Sequence, residues 1–375
     1  MTPSDRVELD STGLIVAGSP QIHDVLSTKK LNWYLVIAVL PAALWGVVQF
    51  GLPALAVLLT GVATAALTEA LIPKRVGGVA DGNAVAIGLM MSLMFPPQAP
   101  LLLVAVSAAF AIVVVKWAFG GLGHAILNPA IAGRVLAQAL DPQAMNRFSL
   151  PGALGDGAPD EGYTAAAMIR EAAEGVTPLE RLQYLAYPRT TVDQSVTAWL
   201  NGSILEPLGV HLPGGYIDPF IGFAPGGIGE VSVLLLLVGS AFLIGKRVVA
   251  WHVPLAIFIG FAGGIATWGG YAFGTGFFSG DVLFHSLHGG IVFLMFFGAT
   301  DNTAAPVTSG GMMVYGVLIG LSAALLRLYG LYTEGLAVAV LVVSFFVPLI
   351  DFFTKPVRFG FNRRNGEPRL YKLRG

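Results

Sequence analysis

The chain has 375 residues, of which 55% are hydrophobic and 11% charged, and its mean hydropathy is +0.74. Soluble domains carry about 25% charged residues, so an ordinary water-soluble globule is excluded, and a net charge of −1 leaves no basic excess for nucleic acid. With no cysteine, the chain cannot form disulfides, thiolate-held iron–sulfur clusters or cysteine-ligated zinc by itself.

Residues 1–30 are polar and lack the basic-then-apolar order of a signal peptide. Five hydrophobic segments come next, at 31–50, 53–71, 83–95, 100–118 and 124–140. About 20 residues at 1.5 Å rise cross a ~30 Å hydrocarbon core, so the long segments read as spanning helices and the third and fifth as short or glycine-broken ones. Residues 141–230 are polar and rich in Gly and Pro, and read as an extramembranous insert. Five more segments lie at 231–244, 251–269, 282–299, 312–328 and 335–353, and 355–375 form a basic tail. The expected fold is therefore an all-α polytopic membrane protein of about ten helices. Its units are the segment 1–30, a five-helix unit 31–140, the insert 141–230, a second five-helix unit 231–354, and the tail.

Charge assigns the faces. Lys29 and Lys30, Lys74 and Arg75, Lys116, Lys246 and Arg247, and seven basic residues of the tail all fall on one side of a ten-span topology. The insert, with eleven acidic residues against four arginines and no lysine, falls on the other. By the positive-inside rule both termini are cytoplasmic and the insert is extracytoplasmic. The two halves also look alike. DGNAVAIGLMMSLMFPP (81–97) has a counterpart in HGGIVFLMFFGATDN (288–302), each a short apolar run opening on small residues and ending in a polar turn. Five spans per unit requires the second unit to be inverted, and inverted repeats with broken helices place a site near the midplane between them.

The stretch KWAFGGLGHAILNPAIAGR (116–134) carries the densest set of candidate residues. Gly120, Gly121 and Gly123 permit tight turning. Asn128-Pro129 can open a helix, with Asn as cap and Pro in the first turn, and such a start attracts anions. Lys116 and Arg134 bracket it. This set reads equally as a pocket for a cofactor or substrate and as a close helix crossing with snorkelling basic ends. Asp81, Glu69 and Asp301 with its neighbour Thr300 are candidates for ion coupling, since charges at membrane depth are costly; for Asp81, helix capping is the stronger reading. His285 and His288 share a helix face, and hydrogen bonding or pore lining is favoured over metal. Gly260, Gly263 and Gly264 read as packing glycines.

These motifs resemble the RnfD/NqrB family, the membrane subunits of the Rnf complex and of the sodium-pumping NADH:quinone oxidoreductase. KWAFGGLGHAILNPAIAGR is similar to that family's K-x-x-F-G-G-x-G-x-x-x-x-N-P-A-x-x-G-R pattern. SPQIHDVLSTKK (19–30), DGNAVAIGLMMSLMFPP, PGGIGEVS (225–232) and FFGATDNTAAPVT (296–308) resemble its other segments in the right order. The resemblance implies ten helices in two five-helix repeats, distantly like urea transporters. It implies a role in electron transfer in a bacterial inner membrane, usually coupled to Na⁺ or H⁺. It further implies partners: a periplasmic flavoprotein subunit, helical membrane subunits, a cytoplasmic electron-input subunit and, as a further ligand, quinone.

Family members usually carry FMN on a threonine of a D-G-x-S-G-A-T-x-L motif. EGYTAAAMI (161–169) aligns with it so that Thr164 matches the first hydroxyl and Ala167 the acceptor position. Alanine cannot form the phosphoester. A second alignment puts EGVTPL (174–179) there, with Thr177 as acceptor; the first is favoured because REAAEGV (170–176) also fits the residues beyond the motif. The expectation is a flavin, FMN or riboflavin, held noncovalently if it is retained. Two further readings stay open: a urea-channel-like solute transporter, and a cofactor-free scaffold subunit.

Overall fold

The computed structural model describes residues 27–72, 81–148, 163–164 and 190–354, apart from 122, 210, 213, 225, 273–275, 289, 301–303 and 330–334. Ala167, Thr177, Asp301, Lys74, Arg75 and the tail lie outside the described residues.

Every hydrophobic segment expected to be helical contains helix. Helix α1 (Thr28–Phe50) opens on Ser27, whose Oγ accepts the Lys30 N–H, and ends at Gly51 with φ 73°. Gly51 alone separates it from α2 (Leu52–Leu71). Helix α3 (Asn83–Leu93) is short. Helix α4 (Leu101–Phe110) continues as a π-helical stretch, Ala111–Trp117. Helix α5 (Pro129–Leu140) starts where the Asn-Pro signal places it: Asn128 Oδ1 accepts the N–H groups of Ala130 and Ile131. A one-turn helix, α6 (Pro142–Met145), comes after it, and the strand Arg147–Phe148 pairs antiparallel with Tyr163–Thr164.

The insert then contributes α7 (Thr191–Leu200) and α8 (Ile217–Ile221). Two carboxylates fully shielded from solvent organise it. Asp193 accepts the N–H groups of Gly215 and Ile217, and Asp218 accepts the N–H and the hydroxyl of Thr190. The second half comprises α9 (Val233–Gly245), α10 (His252–Ala272), α11 (Val282–Leu287), α12 (Ile291–Phe293, with a π-helical continuation Leu294–Gly298), α13 (Ser309–Leu328), α14 (Gly335–Phe345) and α15 (Val347–Thr354).

Among the described residues, four helices are long and apolar enough to cross a bilayer: Thr28–Phe50, Leu52–Leu71, His252–Gly270 and Ser309–Leu328. The pair Leu336–Phe345 and Val347–Thr354, bent by 57°, makes a fifth if it counts as one span. Helix α3, with 11 residues, reaches only about 16 Å at 1.5 Å per residue and cannot cross alone.

Small residues let the long helices approach closely. A Cβ on Gly320 would lie 2.2 Å from the Ile257 carbonyl oxygen, and one on Gly260 would lie 2.5 Å from that of Val317, so α10 and α13 touch backbone to backbone. Gly239 of α9 meets the Ala38 carbonyl of α1 in the same way. Gly263 has nothing within 4 Å, so of the three glycines expected to pack, Gly260 and Gly264 do and Gly263 does not.

The bundle has two chemically different ends. Lys246, after α9, sits over the Tyr34 ring near the start of α1. Glu69, near the end of α2, pairs with Lys116, at the end of the α4 stretch. The described lysine-bearing helix ends of both halves thus share one end. At the other end, Trp45 Nε1 donates to the Gly222 carbonyl and Tyr216 O–H donates to Asp281, docking the acidic insert onto both halves.

Candidate functional site

Two of the expected site residues form one buried unit. Lys116 Nζ lies 3.0 Å from both carboxylate oxygens of Glu69, and Trp117 Nε1 donates to Oε2 at 2.9 Å. Side-chain exposure is 3% for Lys116 and 2% for Glu69. Consecutive residues of a regular helix do not face one partner. The π-helical Ala111–Trp117 stretch removes that restriction and lets Lys116 and Trp117 reach the same carboxylate. A charge pair this dry needs each of its hydrogen-bonding positions filled, because desolvation otherwise outweighs the Coulomb gain. The Trp117 indole supplies the third donor. The sequence points Glu69 to ion coupling and Lys116 to a cofactor; the fold brings the two together.

The glycine loop beyond the pair turns as expected. Gly120, Gly121 and Gly123 have φ of 114°, 92° and 86°. Gly121 packs against the Trp117 ring, while Gly123 has open space around it. The two cations bracketing this loop do not line a phosphate pocket. Lys116 is paired with Glu69, and Arg134, itself buried, donates through Nε to the Met94 carbonyl and through Nη1 to Gln138. The start of α5 is likewise closed by Asn128. This donor set does not fit a flavin phosphate between Lys116 and Arg134.

Two short helices begin alike and lie in different halves. Gly82 precedes α3 with φ 75° and ψ −1°, and Gly290 precedes α12 with φ 67° and ψ 11°, both left-handed. At the first, Asp81 Oδ1 accepts the Asn83 N–H and Asn32 Nδ2 donates to the Asp81 carbonyl, so Asp81 acts as a cap. At the second, the buried Glu230 carboxylate packs directly against Gly290. Arg327 crosses from α13 to donate to the carbonyls of His285, inside α11, and of His288, which caps it at the break. His288 Nδ1 lies 3.0 Å from the Phe284 carbonyl and donates to it, which leaves Nε2 as the acceptor of the neutral ring. Among the described residues no group of three or more His, Asp or Glu could hold a metal.

The C-terminal carbonyls of each short helix are taken by the end of the insert, by a neighbouring helix or by the other half. At α3, Gly229 N–H donates to Leu93, Arg134 Nε to Met94 and Ile228 N–H to Phe95. At α12, Asn128 Nδ2 donates to the Gly298 carbonyl at 2.9 Å. These are the orphan acceptors a helix end leaves, and they are engaged by protein donors. Thr300 turns its hydroxyl back onto the Phe296 carbonyl.

Sequence reasoning does not single out Trp117, Glu230 or Arg327. Arg327 is detectable in principle, as a lone cation inside the apolar run 312–328. Trp117 and Glu230 are not, because their partners are 48 and 60 positions away in the chain: Glu69 and Gly290.

Comparison with known proteins bears on the whole of this architecture. The family model described as NQR2, RnfD, RnfE matches residues 15–360. The chain is 35% identical over 353 residues to the D component of the proton-translocating ferredoxin:NAD(+) oxidoreductase complex of Clostridium ljungdahlii, covering 93% of this chain and 96% of that one. It is 31% identical over 372 residues to the D component of the Na(+)-translocating ferredoxin:NAD(+) oxidoreductase complex of Acetobacterium woodii, covering 96% and 100%. It is 30% identical over 352 residues to the D component of the ion-translocating oxidoreductase complex of Stutzerimonas stutzeri, covering 91% and 94%. A match from near one end to the other, through both short helices and the glycine loop, means that the chain belongs to the NQR2, RnfD, RnfE family.

Proposed function

We propose that this chain is the D-type membrane subunit of an ion-coupled, flavin-linked electron-transport complex, the ferredoxin:NAD⁺ oxidoreductase type, in a bacterial inner membrane. The observation that carries the reading is end-to-end similarity to the D components of such complexes in three organisms. Two inverted five-helix repeats give the architecture its logic. The left-handed glycines at 82 and 290, and the cross-bracing of α3 by residues 228–229 and of α12 by Asn128, support that symmetry. Ten spans place both termini in the cytoplasm and the insert outside, among the complex's periplasmic and membrane partners.

Ion coupling in this reading centres on Glu69, Asp81, Thr300 and Asp301. The Glu69 carboxylate is held in a dry site by Lys116, so a cation can occupy it only by displacing the ammonium. That displacement makes the pair a gate rather than an open site. Electron carriage through this chain is a separate matter. A flavin bound here would supply one- and two-electron transfer, but Ala167 has no hydroxyl for the usual phosphoester and the Lys116–Arg134 loop has no free phosphate cradle. The subunit therefore couples and docks while its partners, with or without quinone, carry the electrons.

Two measurements test this. Inverted vesicles from cells lacking the chain should lose ferredoxin-dependent NAD⁺ reduction and the ion uptake that accompanies it; retention of both would remove the assignment. Intact-mass spectrometry of the purified chain should show no FMN increment. An increment mapped to a peptide containing Thr177 would overturn the loss of the covalent flavin and restore electron carriage.

A further inference from the structure

The turn between α9 and α10 contains a backbone choice that packing does not explain. Helix α9 ends in a two-bond closure: the Val248 N–H reaches the Leu243 carbonyl and the Arg247 N–H reaches the Ile244 carbonyl. This closure requires a left-handed residue just past the helix, which is glycine in most helices that end this way. Here the residue is Arg247, at φ 57°, and the nearby glycine, Gly245, is still helical. A non-glycine residue is held in that region at an energetic cost, which raises the question of what its side chain does there. Arg247 is exposed, and among the described residues no contact directs its guanidinium to a carboxylate or a ring.

The surroundings say what it serves. Lys246 Nζ lies 5.9 Å from the centroids of both Tyr34 and Phe242, which meet edge to face at 5.8 Å across the α1–α9 seam. Lys30 lies one helical turn before Tyr34, and Lys29 is beside it; both are exposed. No acidic residue occurs in 27–34 or 242–252, so every fixed charge of these two segments is positive. Trp251, 53% exposed, stacks on His252 at the rim. Further into the bilayer the same two helices expose Ile37, Leu40 and Val238.

We propose that this α1–α9 end binds the phosphodiester headgroup of an anionic phospholipid. Arg247 and Lys246 grip the phosphate, Lys29 and Lys30 neutralise the remaining charge, Trp251 lies at headgroup depth, and the acyl chains run along Ile37, Leu40 and Val238. Cationic clefts between helices at the membrane surface suit such headgroups, and the guanidinium fork fits two phosphate oxygens at once.

Arg247→Gly separates this role from a structural one, because glycine relaxes the turn and the variant folds at least as well. The test is native mass spectrometry of the purified full-length chain titrated with phosphatidylglycerol, and with phosphatidylcholine of the same acyl chains. The expected result is preferential phosphatidylglycerol binding, weakened about fivefold by Arg247→Gly and about a hundredfold when Lys30→Gln and Lys246→Gln are added. Phosphatidylcholine binding and thermal midpoint should stay unchanged or, for the midpoint, rise. Equal binding of the two lipids, or phosphatidylglycerol binding unaffected by Arg247→Gly, would overturn the proposal.

Discussion

Removing one partner of the Glu69–Lys116 pair should be far more harmful than removing both. At 3.0 Å and an effective dielectric of about 20, the two charges attract by about 5 kcal/mol before desolvation is subtracted. Most of that gain is cancelled by the cost of burying them. Lys116→Met discards the gain and keeps the cost, leaving a carboxylate in a dry site with Trp117 as its remaining side-chain donor. Breaking a buried pair in this way costs about 3–5 kcal/mol. Glu69→Gln strands the ammonium similarly. In the double variant both charges are gone, the new amide can still accept from the Trp117 indole, and the cost should fall to within about 1 kcal/mol of the parent. Apparent unfolding midpoints of the four proteins, purified in one detergent and scanned at one rate, give the coupling. Strictly additive single effects would refute the argument, since they would mean that the two side chains do not depend on each other. The double variant has a second use. If the pair gates an ion, this folded protein should restore assembly of the complex and still fail to support coupled ion uptake.

Two other outcomes rest on the geometry. Gly290→Ala should destabilise by roughly 1–3 kcal/mol: φ is +67° and the new Cβ would push aside the buried Glu230 carboxylate. Gly123→Ala, equally left-handed but with nothing within 4 Å, should cost only about 1 kcal/mol, and equal midpoints for the two would contradict the packing. Alkali should loosen the insert. Burial of Tyr216, its hydrogen bond to Asp281 and the negative charge of that carboxylate together raise the phenol above its ordinary range. The folded state therefore holds this proton more tightly than the unfolded chain, so its contribution is intact below about pH 10 and declines as pH rises beyond it. Limited proteolysis of the insert should accelerate above that pH in the parent and show a flatter pH profile in Tyr216→Phe.

The local features were legible because they depend only on neighbours in the chain. Apolar runs set the helices, Asn128-Pro129 set the start of α5, and the distribution of lysine separated the two ends of the bundle. What neighbours cannot encode is which distant groups will share one dry space. Glu69 and Lys116 are 47 positions apart, and each alone reads as a costly charge near a helix end. Only the packing of α2 against the π-helical end of α4 makes one the answer to the other, and it leaves neither free for a phosphate. The same holds for Asn128, whose cap was readable but whose second bond, to Gly298 in the other half, was not. The number and length of the apolar runs thus determined that this chain crosses a membrane many times. The close approach of particular backbones, possible where Gly239, Gly260 and Gly320 lack a side chain, decided which polar groups meet, because in a low-dielectric interior a charge or carbonyl must find its partner wherever the fold brings one within 3 Å.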